Sequence, residues 1–151
     1  GTCSWGGQFP RTVSWVRLRL KDTGQELLFA NTHFDLASNA RRHSAELLRT
    51  WLQANHGGGS VILTGDFNAN KHSRIYETLT SGGLLADAWH QANPGARDKA
   101  TFHGFGNPKA RSCIDWVLIS PGLQAASASV DTFSQSGQYP SDHYPLRVEI
   151  D

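Results

Sequence analysis

The chain contains no methionine and only two cysteines among its 151 residues. Without methionine it does not open on an initiator residue as written, the expectation for a processed product or a piece of something longer. Cys3 and Cys113 allow one disulfide or two thiols. That excludes a disulfide-dense scaffold but does not choose between a secreted and a cytoplasmic location. No apolar run approaches the roughly 20 residues of a membrane span, so insertion into a bilayer is not expected. A strong charge of one sign is missing too. The formal charge is +1, and no global field points to nucleic acid or an acidic membrane. There is neither an internal repeat nor a low-complexity linker. What is present is the balance of a soluble globular protein, 38% hydrophobic and 18% charged, rather than that of a disordered chain. At this length about 68–70% of the unfolded surface can be buried, enough for one domain, 1–151, with its own core.

Periodicity supplies the elements. In "TVSWVRLRL", Ser14, Val16, Leu18 and Leu20 alternate with Val13, Trp15, Arg17 and Arg19, the pattern of a strand. "KDTGQE" reads as a turn and "LLFANTHF" as a second strand, so the pair predicts a β-hairpin. Ser38 or Asn39 is placed to cap a helix in which Ala40, Leu47, Leu48, Trp51 and Leu52 recur at helical spacing. The glycines of "NHGGGS" end it. "SVILTGD" is too apolar to alternate and reads as a central strand covered on both faces. "SRIYETLTSGG" predicts a short helix. Residues 84–110, rich in Gly, Pro and Asn, read as loops with a short strand near Thr101. "CIDWVLIS", "SASVDTFS" and "YPLRVEID" predict three more strands. The class is α/β or α+β.

Four stretches share one form, a strand with polar groups at or near its end: "NTHFD" (31–35), "GDFNA" (65–69), "IDW" (114–116) and "SDHYP" (141–145). Side by side, such strands would gather His33, Asp66, Asn68, Asp115, Asp142 and His143 into one cleft. On extended backbone Asp66 and Asn68 would face the same side. The set suits phosphoester hydrolysis. Carboxylates bind a hard cation such as Mg²⁺, which stabilises phosphoryl charge and helps make a nucleophile of water. Asn and His donate hydrogen bonds to phosphate oxygens. Each stretch alone has a duller reading, as a turn, a helix cap or an interior histidine. Asp115 is the exception, because a carboxylate buried in an apolar strand costs several kcal/mol unless paired, and a histidine would offset that.

The ordered set NTH, GDFN, IDW, SDH resembles the endonuclease/exonuclease/phosphatase (deoxyribonuclease I-like) superfamily from about Pro10 to the C-terminus. "RSCIDWVLISPGL" and "YPSDHYPLRVEI" look most like its bacterial members. The resemblance implies half of a four-layer α-β-β-α sandwich, a mixed, mainly antiparallel sheet with flanking helices, and only the C-terminal half of that domain. It implies a Mg²⁺- or Mn²⁺-dependent phosphodiesterase, nuclease or phosphatase. By the same resemblance Asp66 positions or deprotonates the attacking water and Asn68 helps to hold it. His143 stabilises a phosphate oxygen, Asp115 orients His143, and His33 binds phosphate from the other side. Asp66, Asn68 and Asp142 form the metal side.

The family's first half carries a metal-binding Glu with no match here. Glu26, Glu46, Glu77 and Glu149 lack the surrounding motif. A bare inner sheet face would need covering, which leads us to expect a homodimer, a complementing N-terminal half-chain, or a fragment of a longer precursor. The competing reading is a non-catalytic half-domain for assembly or binding. For a nucleic-acid substrate, Arg41, Arg42, Lys71, Arg97, Lys99, Lys109 and Arg111 are candidate backbone contacts, and ordinary solvated surface otherwise. Trp5, Trp15, Trp89 and Phe105 are candidate aromatic walls for a base or sugar.

Overall fold

The computed structural model describes residues 3–151. The alternating stretch forms β1 (Val13–Arg19), which turns back antiparallel into β2 (Glu26–His33). Helix α1 (Ser38–Asn55) then returns the chain to β3 (Ser60–Asp66), parallel to β2. Next come α2 (Arg74–Thr80), the two-residue β4 (Ala86–Asp87), α3 (Ala88–Ala92) and β5 (Asp115–Ile119). β5 pairs antiparallel with β3 and β4, giving a mixed five-stranded sheet of order β1-β2-β3-β5-β4. β6 (Ala125–Val130) and β7 (Leu146–Ile150) form a separate antiparallel pair.

One sheet face carries the core. Leu28 and Ala30 of β2, Val61 and Leu63 of β3, and Trp116 and Leu118 of β5 pack against Ala45, Leu48 and Leu52 of α1 and Leu79 of α2. On the opposite face, Ile119 packs with Ala88 and Ala125, and Ile62 and Val117 lie against this second cluster. The cover stops short of the β1 edge, where Val16, Leu18 and Leu20 remain 44–46% exposed. The strand β3 is therefore central, but fully covered only on its helical side.

Three sequence expectations are corrected. Helix α1 is not capped by Ser38 or Asn39: Ala37 is the N-cap residue and no side chain caps it. Instead the Asp35 carboxylate takes the Ala37 N–H at 2.8 Å. Leu47 is 59% exposed, so helical spacing overstated the buried stripe. Residues 84–110 contain a helical turn as well as loop, because Asp87 accepts from the N–H groups of Trp89 and His90 and starts α3.

Asp35 has a larger task. Its other oxygen accepts from the N–H groups of Gln8 and Phe9, both at 2.9 Å, tying the N-terminal strap to the end of β2. These backbone donors, Ala37 first, hold its carboxyl below the ordinary value of 3.8. A carboxyl with a lowered folded pKa contributes stability above 3.8 and loses it as pH falls through the folded value. Asp35→Ala is expected to lower the thermal midpoint at pH 7 and to speed amide exchange at Gln8 and Phe9. The gap from wild type should narrow below pH 3.8. Equal midpoints at pH 7 would remove Asp35 from this role.

Candidate active site

Strand direction sets the site. β2 and β3 run parallel, so their C-terminal ends lie together, and antiparallel β5 begins there. The register pairs His33 with Asp66 and Asp66 with Asp115. The next residue along each segment turns to the other side: Phe34, Phe67 and Trp116 are at most 1% exposed. Phe67 stacks on Trp116 at 4.4 Å and meets Phe34 edge-on at 5.2 Å. An aromatic floor under three polar side chains fixes their direction.

On the polar side, His33 Nε2 lies 3.3 Å and His143 Nε2 3.9 Å from Asp66 Oδ2. His143 Nδ1 lies 2.8 Å from Asp115 Oδ2. An ionised carboxylate only accepts, so this contact puts the proton on Nδ1 and turns Nε2 toward Asp66. Burial, then the negative charge of Asp115, pushes the Asp66 carboxyl above 3.8. The N–H of Asn68 and the two imidazoles pull the other way without reversing it. Asp66, Asp115 and His143 each offer a ligand atom, all within 4.8 Å of one another. Two carboxylates this close, one of them resisting ionisation, form a donor set that a cation would relieve.

Asn68 reaches the site differently from the sequence expectation. Its φ is +48°, so it is not extended and does not share a face with Asp66 by alternation. The chain turns instead, with the Asn68 N–H donating to Asp66 Oδ1 at 2.8 Å. The Asn68 side-chain amide donates to the Phe34 carbonyl at 2.9 Å, and its oxygen has no hydrogen-bond partner among the described residues. Asp142 stands apart from the three-residue ligand group. Its carboxylate accepts from the Ser141 hydroxyl at 3.5 Å, and its carbonyl accepts from the N–H groups of His103 and Gly104.

A cleft of about 370 Å³ opens here, lined by Asn31, Thr64, Asp66, Asp115, His143 and Tyr144 among others. Sequence reasoning did not single out Asn31 and Thr64, although "NTH" contains the first. The Asn31 amide donates to the Thr64 hydroxyl at 2.8 Å. Several candidate contacts are used elsewhere. Lys71 is 4% exposed, with Nζ 2.8 Å from Asp87 and 3.3 Å from Asp98. Arg41 donates to the carbonyls of Asp35 and Leu36, and Arg42 pairs with Glu46. Trp89 is buried. Trp5 and Trp15 border a different cavity of about 440 Å³, between the strap and α1. Phe105 is 65% exposed. Cys3 and Cys113 are both free, and burial pushes the Cys113 thiol up to about 11.

Fold and site together define a mixed α/β protein with an acidic, imidazole-flanked cleft at its strand ends. The chain belongs to the endonuclease/exonuclease/phosphatase family, whose family model matches residues 5–143. Among solved structures it is similar to a mannosyl-6-phosphatase of Bacteroides thetaiotaomicron, at 31% identity and a TM-score of 0.82 over 97% of this chain and 59% of that one. A family protein from the same organism gives 33% identity and a TM-score of 0.86 over 97% of this chain and 57% of that one. Another, from Bacteroides vulgatus, gives 29% and 0.87 over 100% and 59%. The chain thus spans 57–59% of the length of these structures. No curated protein matches it. Among the described residues, no helix is long and apolar enough to cross a membrane.

Proposed function

We propose that the chain carries the catalytic half of a Mg²⁺- or Mn²⁺-dependent phosphoester hydrolase. The observation that supports this best is the convergence of Asp66, Asp115 and His143 within 4.8 Å, with His33 alongside. A divalent cation held there would supply Lewis acidity toward a phosphoryl oxygen. Asp66 would hold it through oxygen, with the oxygen of Asn68 as a further hard donor; the expected part of Asp142 at the metal side would need its carboxylate to turn from Ser141. Asp66 orients the attacking water and takes its proton. His143 is held by Asp115 through Nδ1; as an imidazolium, whose charge the Asp115 carboxylate offsets, it donates from Nε2 to a phosphate oxygen as charge develops. His33 contacts the phosphate from the β2 side.

The exposed face of β1 calls for a partner. Val16, Leu18 and Leu20 lie on the same sheet face as the site, and relatives carry a further stretch that this chain does not span. A complementing first-half segment covers that face in our proposal. The phosphatase relative makes a sugar phosphomonoester the first substrate to try beside a diester. A nucleic-acid substrate is less supported, since Lys71, Arg41 and Arg42 are engaged within the protein.

One observation favours a non-catalytic module. No glutamate joins the ligand group among the described residues; Glu26 pairs with Arg17 and Arg19, Glu46 with Arg42, and Glu149 with Arg147. The deciding assay follows hydrolysis of bis-p-nitrophenyl phosphate and mannose 6-phosphate with Mg²⁺, Mn²⁺ or chelator. It uses the chain alone and the chain mixed with the first-half segment of a Bacteroides relative, with light scattering in parallel. Metal-dependent turnover in either sample is expected. A dimer active alone would make a second copy the partner. A folded chain inert in both samples would leave the binding-module reading.

A further inference from the structure

Asp115 and His143 meet side chain to side chain, but their backbones come from different parts of the fold. Asp115 opens β5, whereas His143 lies on the loop before β7. Thr101 stands between them and is 1% exposed. Its hydroxyl oxygen accepts from the N–H groups of Ile114 and Asp115, both at 3.1 Å. The hydroxyl donates to the Ser112 carbonyl at 3.4 Å. Its own carbonyl accepts from the Tyr144 N–H at 2.6 Å. The residues after it continue the clamp. Phe102 bridges to both Ser112 and His143, and the N–H groups of His103 and Gly104 both donate to the Asp142 carbonyl.

We infer that Thr101 is a positioning residue that fixes the Asp115–His143 pair, by binding the backbone of Asp115 through its hydroxyl and the backbone beside His143 through its carbonyl. A single side-chain oxygen with two acceptor sites and one rotatable hydrogen meets all three demands, and among similarly sized residues only a hydroxyl can. Replacing it with an isosteric methyl leaves two amide N–H groups without an acceptor in a site closed to water. Asp115 then loses the anchor that aims its carboxylate at Nδ1. The consequence for catalysis rests on the hydrolytic reading above; the geometric part does not.

The test compares Thr101→Val, which removes the acceptor, with Thr101→Ser, which keeps it. The first readout is the tautomer of His143, from long-range ¹H–¹⁵N spectra at one pH where the ring is neutral, assigned with His143→Gln. Wild type and Thr101→Ser should hold the Nδ1–H form, and Thr101→Val should shift toward Nε2–H. The second is amide exchange at Ile114 and Asp115, protected in wild type and Thr101→Ser and accelerated in Thr101→Val. A folded Thr101→Val with wild-type tautomer and exchange overturns the inference. If that variant does not fold, Thr101→Ser decides: loss of the Nδ1–H form or of protection overturns the inference, and retention of both supports it. In the complemented enzyme kcat of Thr101→Val should fall roughly 10- to 100-fold with KM unchanged and Thr101→Ser near wild type, the scale of a small misplacement of reacting groups. If no sample hydrolyses phosphoesters, the hydrolytic reading fails, while the tautomer and exchange data still judge Thr101.

Discussion

Asp66→Asn is expected to abolish metal-dependent hydrolysis and, at pH 7, to make the protein more stable. Both effects come from one carboxylate. Its side chain is 14% exposed, and burial together with Asp115 raises its pKa above 3.8. A raised folded pKa means that the folded state holds the ionised form at a cost. That cost is absent below pH 3.8, grows as pH rises toward the folded value, and is complete above it. Asparagine keeps the Oδ1 acceptor for the Asn68 N–H and removes the charge, so the cost goes while the turn stays. Activity should drop by about 10³-fold or more, the scale of losing a proton acceptor and a metal ligand together. Calorimetry at pH 7 and pH 3.5 checks the other half. The variant should melt higher at pH 7, and the two curves should converge at pH 3.5. A variant that melts lower at pH 7 would show that Asp66 serves the fold.

The second large effect is the coupling between Asp115 and His143. Asp115→Asn keeps the shape of the side chain but can offer an N–H where Nδ1 now finds an oxygen at 2.8 Å. The imidazole would then hold its proton on Nε2 with no carboxylate to offset the charge of a second one, so the imidazolium that donates to phosphate would be disfavoured. Asp115→Asn and His143→Ala should each lower kcat of the complemented enzyme by about 10²–10⁴. The double variant should be no slower than His143→Ala alone, because the two act as one unit. Losses that multiply would separate them. Circular dichroism should show all three variants folded, since Asp115 and His143 are each about a quarter exposed in their side chains and neither belongs to the core.

What the sequence disclosed is local in origin. Each polar group of the site sits at or beside a strand end, and the flanking apolar runs in "VILTGD" and "CIDWVLIS" show where the strands are. The apolar run around Asp115 pointed to a histidine partner, and the partner is there, although Asp115 keeps about a quarter of its side chain exposed and is not a fully buried charge. The gaps are tertiary in origin. Alternation would have put Asp66 and Asn68 on one face, but the chain leaves β3 at Asp66 and Asn68 enters the left-handed region. Lys71 reads as a surface cation until the fold brings Asp87 and Asp98 to it. α3 spans five residues, too short for periodicity to reveal, and depends on the Asp87 carboxylate. Thr101 has no local mark either, because its partners are Ser112, Asp115 and Tyr144.

The parallel pairing of β2 with β3, and the late return of the chain through His143, bear on how the protein comes into being. His33, Asp66, Asp115 and His143 lie on four separate segments, so the pocket is assembled only after contacts of long sequence separation have closed. Such contacts form slowly. During synthesis the pocket cannot close before the loop that carries His143 has emerged. A cation held at Asp66 in the closed pocket would therefore recognise only the finished topology, and would draw the folding equilibrium toward it by mass action. Heating scans across a cation titration would then count completed molecules, whether or not they turn over substrate.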